Sequence, residues 1–362
     1  MDTKVLTVSC EDIKYNIETL ANTVKSRIIA VIKGDGYGLG LINMVKILSE
    51  CGISYFAVSE YEEAIKIREN GYTDSVLLLT PQWEEEKIRN LIENDITLTV
   101  GSYEDAKLYS MYGQDAEKEV VAHIKVDTGF GRFGFTLENK EEIIKSLRVP
   151  GLRYEGIFSH FSCSFEKKYK ITKKQFDKYI NIVNYLKEFN FEFEIKHIAN
   201  SCAALRFPET RLDAVRLGSA ILGRLPVNTD VSLKKIGKLK SNVLSINVLP
   251  TGHNVGYANV YKTGKVTDTA VIPVGYKDGY MVEKKDDTFR FKDILRYIFN
   301  NIKMFGKKNY INIAGQKVRI IGRVGLYNVV ADITGTNIKV GDEALFEINP
   351  LMIDSSIKRE FI

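Results

Sequence analysis

The sequence predicts an α/β fold in two parts: an N-terminal (β/α)8 barrel of the TIM type, residues 1–235, followed by a mostly-β domain, residues 236–362. Two observations support this prediction. Eight short apolar runs alternate with helical patterns in the first part, and short strand-like runs with Gly and Asn turns follow one another in the second. An open doubly wound sheet has the same alternation, so the strand count alone leaves that architecture open.

The first part begins with an amphipathic helix pattern over Glu11–Leu20, where apolar residues recur at helical spacing. Helical patterns such as Tyr61–Asn70 and Gln175–Lys187 separate most of the strand-like runs that follow. The predicted barrel strands are Ile28–Ile32, Tyr55–Val58, Ser75–Leu79, Thr97–Val100, Val121–Val126, Arg153–Phe158, Glu194–Ala199 and Ala214–Leu217.

The second part contains few helical patterns. One exception, Phe289–Phe305, has a helical period and many aromatic residues, and we interpret it as an inserted helix that packs between strands and has no chemical role. The predicted strands are Val243–Leu249, Thr269–Pro273, Tyr310–Ile313, Gln316–Ile321, Asn328–Ile333 and Glu343–Phe346.

Composition narrows the function classes. The 362 residues include 51 Lys and Arg against 46 Asp and Glu, a net charge of +5 with both signs dispersed, which gives little reason to expect a nucleic-acid partner. The four cysteines lie far apart without metal-ligand spacing, so we expect reduced thiols and no metal site. No signal-like N-terminus and no run of about 18 apolar residues is present, which predicts a cytoplasmic chain without membrane contact of its own.

The first candidate for chemistry is Lys33, which ends the strand Ile28–Ile32 and is followed by three closely spaced glycines. A lysine at a strand end in a βα loop is usually a solvated residue. Here Tyr37, four residues on, would place a phenol beside the amine. A desolvated lysine has a depressed pKa and can bind an aldehyde cofactor covalently.

The stretch from Val31 to Gly40 reads Val-Ile-Lys-Gly-Asp-Gly-Tyr-Gly-Leu-Gly. It resembles the cofactor-lysine motif of the alanine racemase family, usually Val-Lys-Ala-Asp-Ala-Tyr-Gly-His-Gly. The resemblance implies that Lys33 holds pyridoxal 5'-phosphate and that Tyr37 contacts its phosphate. Further matches follow downstream in the order that the family has them, and together they cover nearly the whole chain.

Two of these matches follow the fifth and sixth predicted strands. The stretch from Lys125 to Gly134 resembles the family's Lys-Val-Asp-Thr-Gly-Met-x-Arg-Leu-Gly. It implies that Arg132 reaches the substrate carboxylate and the cofactor phenol oxygen, since a guanidinium offers a planar fork for a carboxylate. It also implies that Lys125, often carbamylated in the family, steadies that arginine. His160 is where the family packs an imidazole against the pyridine ring.

The loops after the seventh and eighth strands supply Ser201, Arg216, Gly218 and Ser219, which match the family's cofactor-binding stretches. Phosphate binding by these two loops is a recurring feature of barrels. Arg216 would face the pyridine nitrogen and keep it unprotonated, because Arg does not give up a proton. A neutral ring is a weaker electron sink, which favours proton exchange over transamination.

In the second part, the segment around Tyr257 resembles that of the family's catalytic tyrosine, and Tyr276 and Leu326 match residues near the substrate. Racemisation removes a proton from one face of Cα and returns one on the other, so two bases are needed. The resemblance implies that Lys33 and Tyr257 are these bases, that they come from different subunits of a homodimer, and that the substrate is a small amino acid.

Two departures from the family pattern bear on the substrate. Tyr327 replaces an expected aspartate, and the stretch Asp354–Ser356 lacks a tyrosine that crowds the substrate in other members. With the inserted helix, these changes resemble the racemase domain of membrane-bound vancomycin-resistance serine racemases. That narrower resemblance implies activity on serine as well as alanine, in the cytosolic part of a longer membrane protein.

Two other functions are weighed against racemisation. Barrel-type basic amino-acid decarboxylases share the lysine and the two-part layout, but they have a longer Gly-rich phosphate loop and a C-terminal cysteine among acidic residues, which are missing here. A non-catalytic pyridoxal-phosphate carrier shares the barrel but lacks a β domain and a second tyrosine. Residues 236–362 therefore speak against the carrier.

Overall fold

The computed structural model describes residues 4–166 and 168–362. These residues form two compact units. One is Cys10–Ile236, and the other combines the described residues up to Ser9 with Gly237–Ile362. Strand β1 (Val5–Val8) opens the described chain and belongs to the second of these units.

The first unit is a barrel of parallel strands. All eight predicted strands are present: β2 Arg27–Val31, β3 Tyr55–Val58, β4 Ser75–Leu78, β5 Leu98–Val100, β6 Val120–Lys125, β7 Leu152–Phe158, β8 Ile195–His197 and β9 Ala214–Leu217. They form a sheet of order β4-β3-β2-β9-β8-β7-β6-β5, and a parallel bridge between Leu77 and Thr97 joins its two ends. This closure confirms the predicted barrel and excludes an open doubly wound sheet.

Helices follow the strands because their apolar stripes need the outer face of the barrel. In the first helix, the buried residues Ile13, Ile17 and Leu20 lie on one face at helical spacing. The helical elements of this unit are α1 Cys10–Val24, a single turn α2 Lys33–Tyr37, α3 Leu41–Glu50, α4 Tyr61–Glu69, α5 Glu85–Glu93, α6 Tyr103–Asp115, α7 Lys140–Leu147, α8 Lys170–Glu188 and α9 Ser201–Arg206.

The second unit contains, besides β1, the strands β10 Lys238–Asn242, β11 Ser245–Leu249, β12 Thr267–Ile272, β13 Tyr310–Ile313, β14 Gln316–Ile321, β15 Val329–Asp332, β16 Glu343–Glu347 and β17 Lys358–Phe361. They form a nine-stranded sheet of order β11-β12-β15-β14-β13-β16-β10-β1-β17, in which β1 and β17 are parallel and the other neighbours antiparallel. The six strands predicted here are confirmed. The sequence patterns missed β10 and β17, which are short and rich in Lys and Arg.

The position of β1 differs from the sequence-based division, which assigned all of residues 1–235 to the barrel. The strand pairs with β10 on one side and β17 on the other. Leu6 and Val8 are buried while Val5 and Thr7 are partly exposed. This alternation suits a sheet with one covered face, whereas barrel strands are covered on both faces.

The inserted helix is present as α10, Phe291–Lys303, but the prediction that it is a packing element was wrong. Of its side chains only Asp293 is buried, under Arg290 and Arg296 from the same helix region. Phe291 is 79% exposed and Ile302 is 65% exposed. Sequence periodicity reveals an amphipathic helix, but it does not show whether the same chain covers the apolar face. Across residues 4–166 and 168–362, no helix is both long and apolar enough to cross a membrane.

Candidate active site

The loop after the first barrel strand has an unusual backbone. From Gly34 to Tyr37 every φ is positive, at 65°, 52°, 64° and 56°, so α2 is a left-handed turn. Glycine adopts this region freely, but Asp35 and Tyr37 incur a cost of about 1–2 kcal/mol each. Such strain persists only where the surroundings hold it, and it is common at functional sites.

Besides its backbone hydrogen bonds, two hydrogen bonds to carboxylates hold this turn. The Asp35 backbone N–H donates to the Glu63 carboxylate at 2.9 Å, and the Leu41 N–H donates to the Asp35 carboxylate at 2.9 Å. The compact turn brings two side chains that are four residues apart, Lys33 and Tyr37, to the same cavity.

That cavity, of about 500 Å³, lies at the carboxyl ends of the barrel strands, where barrel enzymes place their chemistry. Nine of the predicted site residues line it: Lys33, Tyr37, Lys125, Arg132, His160, Ser201, Arg216, Gly218 and Ser219.

The surroundings of the Lys33 amine favour its neutral form. Burial lowers its pKa, as do the positive charges of Arg132 and Arg216, while Glu63 and Glu60 act in the opposite direction. A lowered pKa increases the neutral fraction, and the neutral amine is the form that attacks an aldehyde carbon.

Arg216 is buried and firmly held. Its guanidinium donates to the backbone carbonyls of Ser159, His197 and Ile198 at 2.5, 3.2 and 3.3 Å. It also donates to His197 Nδ1 at 2.7 Å. Burial lowers its pKa to about 10, so the guanidinium remains a cation at neutral pH.

A chain of hydrogen bonds continues from Arg216 into the barrel interior and fixes the tautomer of two histidines. Because Arg only donates, His197 Nδ1 accepts, and its Nε2 carries the proton given to His123 Nδ1 at 2.9 Å. His123 Nε2 then donates to the Glu155 carboxylate at 3.0 Å, where Tyr55 also donates at 2.8 Å.

The charges along this chain support the same assignment. Burial, followed by the Arg216 charge, holds the pKa of His197 well below its ordinary value, and burial lowers that of His123. The hydrogen bond from His123 lowers the pKa of Glu155. Both imidazoles are therefore neutral and Glu155 is ionised. Sequence analysis assigned no role to His123, His197, Glu155 or Tyr55.

His160 borders the same arginine. Its Nδ1 lies 3.3 Å from the Arg216 guanidinium, which makes Nδ1 the acceptor and leaves the proton on Nε2. Burial and the Arg216 charge hold its pKa well below the ordinary value, so the ring is neutral. A neutral, flat ring at the cavity wall suits packing against an aromatic cofactor.

The loop after β9 provides donors for an anion. The backbone N–H groups of Gly218 and Ala220 both point to Ser201 Oγ, at 3.2 Å each. Gly218 also has no room for a side chain, because a Cβ there would collide with the Tyr37 phenol. Two N–H groups, a serine hydroxyl and a phenol thus converge in a way that fits a phosphate.

The Asp127 carboxylate organises the loop that carries Arg132. It accepts four backbone N–H groups, from Gly129 to Arg132, at 2.7–3.3 Å. Burial raises the pKa of Asp127, but these hydrogen bonds outweigh that effect and lower it. The Arg132 guanidinium lies over the Phe130 ring, 4.6 Å from its centroid, and pairs with no carboxylate among the described residues.

Lys125 lies beneath these arginines and is almost fully buried. Burial, together with the Arg216 and Arg132 charges, lowers its pKa to about 7. The amine lies 4.7 Å from the centroid of the Phe158 ring. With Lys33, Arg132 and Arg216, it gives the cavity a positive potential that favours an anionic ligand.

The remaining three predicted residues, Tyr257, Tyr276 and Leu326, form a cluster in the second unit. The Tyr276 N–H donates to the Gly325 carbonyl, and the Lys277 N–H donates to the Leu326 carbonyl, at 3.1 Å each. The Tyr257 ring lies against Gly325. Tyr257 is 71% exposed, so its side chain is accessible from solvent.

The site contains no cluster that resembles a metal centre. In the part of the chain that the structure describes, no group of three or more His, Cys, Asp or Glu side chains could hold a metal ion. The donors around the cavity are instead cations, the neutral His160 imidazole and N–H groups, which fit a phosphorylated aromatic cofactor and an amino-acid carboxylate.

Comparison with known proteins agrees with this class of site. The family model described as the N-terminal domain of alanine racemase matches residues 8–226, and that of its C-terminal domain matches residues 236–350. The alanine racemase of Clostridium tetani is 32% identical over 348 residues, covering 93% of this chain and 84% of the relative. Alanine racemase 1 of Caldanaerobacter subterraneus is 34% identical over 328 residues, covering 88% and 78%.

Solved structures agree as well. The alanine racemase of Clostridium difficile superposes with a TM-score of 0.85 at 27% identity, covering 99% of this chain and 96% of the other. That of Bacillus anthracis with bound L-Ala-P superposes with a TM-score of 0.82 at 25% identity, covering 100% and 95%. Fold and site thus define a barrel enzyme whose cavity contains a lysine of lowered pKa. The chain belongs to the alanine racemase family, which depends on pyridoxal 5'-phosphate.

Proposed function

We propose that this chain interconverts L- and D-alanine, using pyridoxal 5'-phosphate bound at Lys33. The observation that carries the proposal is the cavity at the barrel mouth, where a lysine of lowered pKa, an N–H cradle and several cations converge. The related alanine racemases support the choice of alanine.

The cofactor, when bound, supplies an electron sink that acidifies the α-carbon of an attached amino acid. Lys33 would hold it, while Ser201, Tyr37 and the Gly218 N–H would bind its phosphate. Arg216 would face the ring nitrogen. Because its guanidinium is fixed by carbonyls and does not release a proton, Arg216 would leave the ring nitrogen unprotonated and the ring a weaker electron sink.

Proton transfer at Cα would be shared by two side chains. The Lys33 amine would serve one face, and the Tyr257 phenol the other, with Arg132 fixing the substrate carboxylate between them. We further propose that Tyr257 is contributed by the second subunit of a homodimer. The exposed phenol and the dimeric character of the family support this arrangement.

The two alternative functions have less support. A non-catalytic carrier would have no use for the exposed cluster of Tyr257, Tyr276 and Leu326. Decarboxylases of the barrel type are disfavoured because both family models match alanine racemases over most of the chain.

Serine is a second candidate substrate because the segment around Asp354 is polar. Lys277, adjacent to Tyr276, pairs with Asp354 at 3.5 Å, and Ser356 donates to the same carboxylate at 2.6 Å. If this segment borders the substrate, as the family resemblance implies, it offers polar partners where a tyrosine would be apolar and bulky. Burying the serine hydroxyl without a partner would cost about 1–3 kcal/mol.

We therefore expect kcat/KM for serine to be at least about a tenth of that for alanine, whereas a tight apolar site would lose roughly 10²-fold. Ser355→Tyr, or Asp354→Tyr, should depress serine turnover more than alanine turnover. Steady-state racemisation of both amino acids measures the ratio. A wild type that ignores serine, or a ratio unchanged in both variants, would leave alanine as the only substrate.

The main test of the proposed function is Lys33→Ala. Among the described residues no other amine lies at that strand end, so the variant should lose both racemisation of alanine and covalent retention of the cofactor. Borohydride reduction followed by peptide mass spectrometry measures the covalent link. Lys46→Ala, an exposed lysine on α3, is the matched control. Cofactor trapped on the protein in the Lys33→Ala variant would show that the anchor is elsewhere.

A further inference from the structure

The inserted helix α10 exposes a continuous apolar face. Phe291, Ile298 and Ile302 recur at helical spacing, with Ile294, Leu295 and Phe299 filling the same arc. All of them are exposed, as are Phe289 and Phe305 at the two ends of the helix. An exposed patch with this many large apolar side chains marks an interaction surface.

Basic residues accompany the apolar face. Lys292, Arg296 and Lys303 lie on the adjoining stripe of the helix, and Lys307 and Lys308 follow its end. Residues 288–308 contain six basic side chains and one acidic one, a net charge of +5. Because the whole chain also has a net charge of +5, the rest of the chain is neutral on balance. The positive charge of this protein is thus concentrated around one exposed helix.

A strongly amphipathic helix with Lys and Arg on one side and Phe, Leu and Ile on the other is typical of helices that lie in a membrane interface. At 13 residues, α10 is about 20 Å long, too short to cross a hydrocarbon core of about 30 Å. It has the composition to lie flat, with its apolar side chains among acyl chains and its cations among anionic headgroups.

We propose that α10 and its flanking residues, 288–308, are a peripheral docking site for an anionic lipid bilayer. Charge complementarity favours this occupant over a second copy of the chain, because two such helices would bring +5 against +5. Sequence analysis predicted no membrane contact from this chain. The proposal replaces that expectation because the apolar face is exposed rather than packed.

The test is co-sedimentation of the full chain with vesicles of phosphatidylcholine, either alone or mixed with phosphatidylglycerol. The protein should pellet with the mixed vesicles, and binding should weaken as salt is raised. Each Lys or Arg near an anionic surface contributes about fivefold in affinity, so Lys292→Glu with Lys303→Glu should weaken binding by at least about 25-fold. Ile298→Asp with Ile302→Asp should abolish it.

Lys46→Glu with Lys174→Glu is the matched control, since it changes the net charge equally on exposed faces of α3 and α8. Binding that is lost equally in this control, or that is absent in the wild type, overturns the proposal. The proposal is also overturned if the variant Ile298→Asp with Ile302→Asp has a different subunit stoichiometry from the wild type, as measured by light scattering. In that case α10 would contact a second copy of the chain. Circular dichroism verifies that each variant is folded. The dependence of wild-type binding on anionic lipid and on salt tests the proposal without any variant.

Discussion

At the scale of single residues, the most constrained group is Arg216. Every partner that the structure gives its terminal nitrogens is an acceptor, either a carbonyl or an imidazole nitrogen. The orientation of the guanidinium is therefore set before any ligand arrives. Pre-organisation of this kind avoids a reorganisation cost when charge develops during the reaction.

Tyr257 provides the residue-scale prediction. Tyr257→Phe should leave cofactor binding nearly intact and lower racemisation by about 10²–10⁴-fold, the usual contribution of one general base. The phenol should serve only one face of Cα. Exchange of the Cα proton with deuterated solvent should therefore survive better for one enantiomer than for the other, as measured by NMR. Tyr310→Phe, on an exposed strand position of the same unit, is the control. Equal loss of exchange for both enantiomers would contradict the two-base assignment.

At the scale of elements, the left-handed turn α2 and the loop after β9 meet where Tyr37 packs against Gly218. Gly218→Ala should push the phenol away, because a methyl group has no room there. Overpacking of this kind costs about 1–3 kcal/mol. If this cost falls on the bound state, we expect the dissociation constant of the cofactor to rise roughly 5-fold to 100-fold, since each 1.4 kcal/mol is about tenfold in affinity.

Absorbance titration with the cofactor measures that change, and Lys33 should still form its covalent link. Gly264→Ala is the matched control, because a methyl group there meets nothing within 4 Å. Unchanged cofactor affinity in Gly218→Ala would show that the position of Tyr37 is not important for binding.

At the scale of the whole molecule, the proposed sharing of sites predicts complementation between two inactive variants. In a mixed dimer of Lys33→Ala and Tyr257→Phe subunits, one site would lack both side chains and the other would keep both. Refolding an equal mixture should recover about a quarter of the wild-type activity per subunit, because half of the dimers are mixed and each has one intact site.

Each variant refolded alone is the control for this experiment. If Lys33 and Tyr257 acted within one subunit, every site of a mixed dimer would lack one of them, and mixing would recover nothing. That result would reject the shared site while leaving the racemase proposal testable through Lys33.

The alternation of strand and helix patterns predicted the barrel, and short motifs that resemble those of the family predicted the nine residues that line the cavity. Lys33 and Tyr37 share one loop, and Gly218 and Ser219 share another, so short motifs were sufficient. The chain from Arg216 to Glu155 was missed because His123, Glu155 and His197 come from three strands far apart in sequence, and the pairing of these strands in the sheet brings them together. The exposure of α10 was missed because a period shows which residues share a face, not what covers that face.

The chain from Arg216 through His197 and His123 to Glu155 has a consequence for the buried charge. A guanidinium inside a barrel needs a counter-charge, and a carboxylate in direct contact would occupy its fork. Here the negative charge lies two imidazole rings away, and each ring is neutral and holds its proton on the side facing Glu155. The two rings separate the two charges and keep the Glu155 carboxylate out of the lining of the cavity. The barrel thereby holds the Arg216 cation while its counter-ion, Glu155, is too far away to compete with a ligand for the guanidinium.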